Sequence, residues 1–239
     1  MIKSLFACAA SIAVLTSGAV AAPTATPVRP AADLARDAQR KPLAMLAFAG
    51  VRKGDTVIEM VPGGGYFTRE LSIAVGPTGH VYAAVPEPKP GDPPSPVSVI
   101  AAQPGYGNVT VIPATGPGLI AAPQADFVWT AQNYHDFHLS RIRLDVPSFD
   151  KLLLSKLRHG GKLVVIDHVA LPGAPVTETA DTLHRIDPAA ARAEITAAGF
   201  LFEAESAVLR NPADPHTAVV YDPSIRGHTD QFVYRFRRP

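Results

Sequence analysis

The stretch Thr56-Val-Ile-Glu59-Met-Val-Pro62-Gly-Gly-Gly65-Tyr-Phe-Thr68-Arg-Glu-Leu71 decides the fold. Val57, Ile58, Met60 and Val61 form a short apolar run with β-branched members, the composition of a strand buried on both faces. Pro62 ends the run, because it has no N–H for a strand ladder. Gly63, Gly64 and Gly65 follow, a turn that tolerates positive φ and lets a ligand come close to the main chain. From Tyr66 a helix is predicted, with Phe67, Leu71, Ala74 and Val75 on one face. Strand, glycine turn and helix together open a doubly wound α/β fold, whose ligands bind at the carboxyl ends of the strands. Glu59 is a single acid within the apolar strand. A charge there needs a reason, and reaching toward a ligand at the strand end supplies one.

These residues resemble motif I of the class I S-adenosylmethionine-dependent methyltransferases. Glu59 stands at that motif's acid position, and Gly63-Gly64-Gly65-Tyr66-Phe67-Thr68 at its turn. The usual first glycine, two residues after the acid, is Val61 here, followed by Pro62. A group of bacterial predicted methyltransferases with a Pro-Gly-Gly-Gly-aromatic turn shares this departure, and the likeness to that group runs from about Lys41 to the C-terminus. The resemblance implies a Rossmann-like, doubly wound, seven-stranded, mostly parallel sheet with an antiparallel last strand. It implies S-adenosyl-L-methionine as cofactor, with its amino-acid end at Gly63, Gly64, Gly65 and Tyr66.

Outward from this stretch, composition sets the bounds. The 239 residues suit one α/β domain with appendages. Lys plus Arg number 22 and Asp plus Glu 21, so neither a polyanion nor a membrane surface is implied as partner. We expect a small-molecule substrate and no nucleic acid. Residues 1–21 read as a secretory signal: Lys3 is the positive region, Leu5 to Leu15 an apolar segment too short to span a bilayer, and Ala19-Val20-Ala21 a small-x-small cleavage site. The expected location is the periplasm or outside the cell, with no stable membrane insertion after cleavage. The single cysteine, Cys8, lies in this segment, so the mature chain would have neither disulfide nor thiol nucleophile. Residues 22–30 form a Pro/Ala/Thr linker, and 31–239 the methyltransferase-like domain.

That domain begins with two predicted helices, Ala31 to Gln39 and Pro42 to Ala49, with Gly50 ending the second. In the family this region lies across the cofactor site as a cap. Arg40 and Lys41 are expected chiefly as solvated helix ends, a ligand-facing role being the alternative. The second strand is expected at Gly79 to Val85, and the resemblance implies an acid at its end that holds the ribose hydroxyls. Val85 and Pro86 stand there instead, and Glu87 comes late, either as that acid or as a plain loop acid. A short helix is predicted at Val97 to Ala102, a third strand at Val109 to Ile112, and a fourth at Ala125 to Thr130.

The loop after the fourth strand is the richest polar segment: Gln132, Asn133, Tyr134, His135, Asp136 and His138. Its Asn-x-His-Asp pattern again matches the family. Asn133 has donors and an acceptor for a cofactor or substrate polar group. His135 or Asp136 can take a proton from an acceptor atom. His138 is expected to be solvated. His135, Asp136, His138 and His168 also invite a zinc reading, but their spacing matches no established ligand pattern and we expect no metal. Phe149 to Leu157 reads as a helix and Lys162 to Asp167 as the fifth strand, which leaves His168 as a second candidate base. Asp187-Pro188 starts a helix to Ala198. Phe200 to Leu209 and Gln231 to Phe236 complete the strands. The long connection between them is expected to be a lid or substrate wall, with His184 and Arg185 facing the same pocket.

The activity implied is methyl transfer, a direct displacement that needs mainly alignment and only a weak catalytic signature. Two other readings stand beside it. One is a non-catalytic ligand-binding protein on the same scaffold, because the leader points away from the cytoplasm, where the cofactor is made. The other is an NAD-dependent oxidoreductase, although Thr68 stands where the dinucleotide fingerprint wants a small Gly or Ala.

Overall fold

A computed structural model describes residues 26–89 and 91–239. The predicted signal segment and residues 22–25 of the linker lie outside the described residues. The described part of the chain opens with three short helices, α1 (Ala31–Leu34), α2 (Asp37–Arg40) and α3 (Pro42–Ala49). It continues through β1 (Thr56–Met60), α4 (Tyr66–Val75), β2 (His80–Val85), α5 (Pro96–Ala101), β3 (Val109–Pro113), α6 (Gly116–Ala121) and β4 (Ala125–Ala131). A 3-10 turn, His135–His138, precedes α7 (Val146–Lys156), β5 (Leu157–His168), α8 (Val176–Leu183), α9 (Pro188–Ala197), β6 (Leu201–Ser206) and β7 (Gln231–Arg237).

The strands form one seven-stranded sheet in the order β3-β2-β1-β4-β5-β7-β6. β1 pairs in parallel with β2 and β4, whereas β7 is antiparallel to both β5 and β6. This is the expected fold class. The order reverses between β1 and β4, so their carboxyl ends part and leave the crevice in which such sheets bind ligands. Apolar residues cover both faces. Ile58, Met60 and Val128 pack with α7 and α9 residues on one side, and Val57, Phe127 and Trp129 pack with α3 and α4 residues on the other.

Several elements differ from expectation. The first predicted helix is split into α1 and α2. α7 starts at Val146, three residues before Phe149; the signal is Pro147 in the first turn, just after Asp145. β5 begins at Leu157, because the His159-Gly160-Gly161 segment pairs with the C-terminal tail, Gly160 N to Arg238 O and Arg238 N to Gly161 O. β6 stops at Ser206. Helices α6 and α8 were not foreseen. The first is short and built on Gly-Pro-Gly, and the second is rich in Thr, all poor helix formers.

Helices α1 and α2 are held over α4 by charge, whereas α3 packs Met45, Leu46 and Ala49 into the core. Asp33 pairs with Arg69 of α4 at 3.0 Å, and Asp37 accepts a hydrogen bond from the Tyr66 hydroxyl at 2.6 Å. Arg29 bridges Asp37 and Glu70 at 2.6 Å each. The connection between β6 and β7 is likewise ordered. The buried carboxylate of Asp214 accepts both ends of the Arg185 guanidinium, at 2.9 and 3.0 Å, and the main-chain N–H of Asp230 at 2.7 Å. Arg185 is fully buried and also donates to Val169 O and Ala218 O, so it clamps the connection rather than facing a pocket.

Candidate active site

The site grows from the end of β1. Glu59 is buried, and its carboxylate accepts a hydrogen bond from Thr68 Oγ1 at 2.6 Å. Burial pushes its pKa up from 4.5 to about 7, against the Thr68 hydrogen bond and the positive charge of Arg40. Val61 then takes φ +48°, the left-handed region, which a β-branched residue rarely adopts. The chain therefore keeps at Val61 the backbone that glycine usually supplies in this motif. Val61 is held from both sides: its N–H donates to Ala84 O at 2.8 Å, and its carbonyl accepts from Asn133 Nδ2 at 2.9 Å.

The three glycines divide their work. A Cβ added at Gly63 or Gly64 would meet nothing within 4 Å, and both line a small cavity of about 140 Å³. Gly65 lies beneath, with φ +78°, where a Cβ would come within 2.2 Å of Ile100 Cδ1 on α5. Its glycine is required by helix packing, and it does not line the cavity. Tyr66 does, though its hydroxyl is committed to Asp37.

Arg40 roofs this cavity. Its guanidinium lies 4.9 Å from the centre of the Tyr66 ring and donates to Gln132 Oε1. Burial lowers its pKa to about 10, yet it stays charged at neutral pH. Sequence reasoning expected a solvated helix end. The placement comes from the cap folding over α4, which no local pattern encodes. Lys41, by contrast, donates to Val208 O at 2.7 Å. Beyond Arg40 lies a second cavity of about 510 Å³, which shares Arg36, Arg40 and Gln132 with the first. Its far walls are His168, Gln231 and, from the β6–β7 connection, Tyr221 and Arg226. A third and larger cavity, about 720 Å³, sits near Gly76, Gly79 and Asn108, at the amino ends of β2 and β3. That is the wrong end of the sheet for a ligand in this fold.

The loop after β4 supplies side chains with distinct tasks. Asn133 donates to Val61 O and Ala131 O, tying β1 to β4, and lines the small cavity. Tyr134 turns away, its hydroxyl donating to the buried Asp150 at 2.8 Å. His138 is not solvated: it packs beside Tyr134 and lies 3.1 Å from Glu194. His135 is buried with Nδ1 2.8 Å from Asp167 Oδ1, and its main-chain N–H donates to Asp167 Oδ2 at 2.7 Å. Burial disfavours its charge, but the Asp167 carboxylate and Asp136 outweigh that and raise its pKa to about 10. His168 is the opposite case. Burial, with the positive charges of His135 and Arg185 adding to it and Asp167 opposing, lowers its pKa to about 3. Its Nδ1 pairs with Thr229 Oγ1 at 2.7 Å, and the neutral ring lines the second cavity. Asp136 and His184 stand beside His135, 3.5 Å apart.

The fold thus brings Glu59, Gly63, Gly64, Tyr66 and Asn133 to one cavity and His168 to the adjoining one. Glu87 is exposed, lines neither, and has no side-chain partner among the described residues. Asp167, which organises both histidines, was not foreseen as a site residue, and Arg40 takes the ligand-facing place that was only the alternative expectation. The visible signal for Asp167 was an acid at the end of an apolar parallel strand, the same signal that pointed to Glu59.

No family model matches the chain, and no curated protein does. Solved structures do. A SAM-dependent methyltransferase from Aquifex aeolicus aligns with TM-score 0.59 and 17% identity, over 85% of this chain and 98% of that one. The [4+2]-cyclase SpnF aligns at 0.56 and 16%, over 84% and 81%. A cyclopropane-fatty-acyl-phospholipid synthase-like protein from Lactobacillus casei aligns at 0.54 and 16%, over 86% and 92%. At these identities the likeness is one of fold: the chain has the Rossmann-like fold found in SAM-dependent methyltransferases.

Proposed function

We propose that the protein is an S-adenosylmethionine-dependent methyltransferase acting on a small, anionic acceptor. The observation that carries this reading is the small cavity at the end of β1. It sets an acid, Glu59, and a cation, Arg40, beside the open main chain of Gly63 and Gly64. Opposite charges a few ångströms from free space suit the ammonium and carboxylate of an α-amino acid, which the cofactor carries at one end. The cofactor, when bound, supplies the methyl group. Asn133 and Gln132 would border it on the β4 side.

The second cavity, of about 510 Å³, suits the acceptor. Arg36, Arg40 and Arg226 line it, and no carboxylate does. Neither Arg36 nor Arg226 has an acidic partner among the described residues. Such a wall favours an anionic molecule and disfavours a cation. His168, held neutral, is placed to hydrogen-bond an acceptor hydroxyl or amine. His135 is enclosed and already bonded, so it positions rather than reacts. The reading extends to the group of bacterial methyltransferases with a Pro-Gly-Gly-Gly turn, and to a place of action outside the cytoplasm.

Calorimetric titration with S-adenosylmethionine and S-adenosylhomocysteine, with NAD as control, tests the assignment. Micromolar binding of the first two, lost in Gly64→Val, is the expected result. Absence of binding by well-folded protein would favour a ligand-binding role on this scaffold, and preference for NAD would favour an oxidoreductase.

A further inference from the structure

Among the described residues, one group of three His, Cys, Asp or Glu side chains converges closely enough to hold a metal ion: His135, Asp136 and His184. We propose that these three form a site for a divalent cation of the zinc type, with Asp167 orienting the central histidine. It is a different set from the one the sequence suggested. His138 is turned to Glu194, and His168 Nδ1 to Thr229.

The distances fit the chemistry. His135 Nε2 lies 3.3 Å from Asp136 Oδ1, and His184 Nδ1 lies 3.5 Å from the same oxygen. Tetrahedral zinc, with bonds of about 2.0–2.1 Å, sets its ligand atoms about 3.3–3.4 Å apart. The third pair of ligand atoms lies within 4.8 Å. An octahedral ion at a similar bond length would bring adjacent ligands to about 3.0 Å, which is tighter than either measured pair. Two imidazoles and one carboxylate are a donor set that zinc accepts, leaving a fourth position for a ligand from outside. Asp136 and His184 are part-exposed, at 29% and 22% for their side chains, so that position is reachable.

The surroundings fit as well. Histidines that bind metals characteristically give their other ring N–H to a carboxylate, which fixes the tautomer and the ring plane. Asp167 Oδ1 accepts from His135 Nδ1 at 2.8 Å, and its other oxygen accepts from the main-chain N–H of the same residue. Nε2 is thereby turned toward Asp136. The rings of His135 and His184 meet edge to face, at 87° and 5.4 Å. A simple ion pair, imidazolium between Asp136 and Asp167, would account for His135 alone. It leaves His184 Nδ1, which is buried, with no hydrogen bond and only the 3.5 Å contact to Asp136 Oδ1. Buried polar atoms in that state are rare and need an explanation. A cation accounts for both. The site adjoins the second cavity, since His184 packs 5.0 Å from Tyr221, but the inference does not depend on the cofactor reading.

The test is calorimetric titration of the chelator-stripped full chain with zinc chloride, each sample first shown to be folded by circular dichroism without metal. One zinc per chain at micromolar or tighter affinity is expected. His184→Asn should weaken it by about 100-fold or more, since the carboxamide is a poor zinc ligand. Asparagine tolerates the left-handed backbone at this position, φ +54°, so the variant should fold. Asp136→Asn serves as the second ligand variant, with a loss of similar size. Asp167→Asn, which acts through His135, should weaken binding about 10- to 100-fold. Absence of zinc uptake by the folded wild-type chain overturns the proposal. So does unchanged affinity in either folded ligand variant, which would place the ion on surface histidines.

Discussion

The glycine turn after β1 and the polar cluster at the ends of β4 and β5 face the same crevice but are built in opposite ways. The turn is made of main chain. Its open face is Gly63 and Gly64, its acid Glu59 comes from the same strand, and every part lies within ten residues. The cluster is made of side chains from three distant segments: His135 and Asp136, Asp167 and His168, and His184. The turn survives one substitution, Val61, by keeping glycine's backbone under valine's side chain. The cluster has no such tolerance, because the buried Asp167 accepts three hydrogen bonds, two from His135 and one from the main chain of His168. A site built on main chain constrains conformation, and one built on buried charge constrains identity.

The largest expected effect breaks the cluster. Asp167→Ala leaves the buried His135 and two main-chain N–H groups without their acceptor, and should cost about 3–5 kcal/mol. Thermal unfolding followed by circular dichroism would show a midpoint lower by roughly 10 °C. A loss below about 1 kcal/mol would mean that the cluster is not the rigid unit described. Next, the turn can be split into its two tasks. Gly65→Val drives a branched side chain into Ile100 from a left-handed backbone, and should cost about 3 kcal/mol. Gly64→Val points into open space, so its melting temperature should stay within a degree or two of the parent's, while S-adenosylhomocysteine binding is lost. Equal effects on stability in the two variants would contradict the division of labour.

A third measurement concerns Glu59. Burial raises its folded pKa to about 7, so the folded state keeps a proton that the unfolded chain has already lost. Stability attributable to this residue therefore falls as pH rises from about 4.5 to about 7, and is level on either side. The full difference is at most about 3 kcal/mol. Glu59→Gln should remove that slope in urea titrations at a series of pH values, and an unchanged slope would show that solvent reaches the carboxyl. The smallest effect sharpens the comparison from the other side. Val61→Gly relieves the left-handed strain but adds unfolded-state entropy, for a net gain of about 1 kcal/mol. A loss of stability there would mean that the valine side chain packs better than its backbone is strained.

The sequence could be read well where its signal was local. β1, the turn and α4 announced themselves through an apolar run, a proline, three glycines and a helical stripe, and the structure has them within a residue. Asp187-Pro188 likewise marked α9, with the Asp187 side chain accepting from Ala189 N. The missed helices, α6 and α8, carry residues that do not favour helix, and are held there by what they pack against. Arg40 was misjudged for a related reason. Alone it is a charged residue at the end of a four-residue helix, and only the docking of the cap through Arg29, Asp33 and Asp37 brings it over Tyr66.

What the sequence by itself determined is the fold class, the strand that carries Glu59, and the crevice at its carboxyl end. Each follows from periodicity and backbone preference, which act over a few residues. What only the tertiary structure decided is which side chains meet. It set Arg40 across from Glu59, separated Gly65 from Gly63 and Gly64, turned Tyr134 and His138 away, and brought His184 to Asp136 across 48 residues. Those contacts depend on the packing of whole elements, where a rotation of one helix changes every partner, and no local pattern records it.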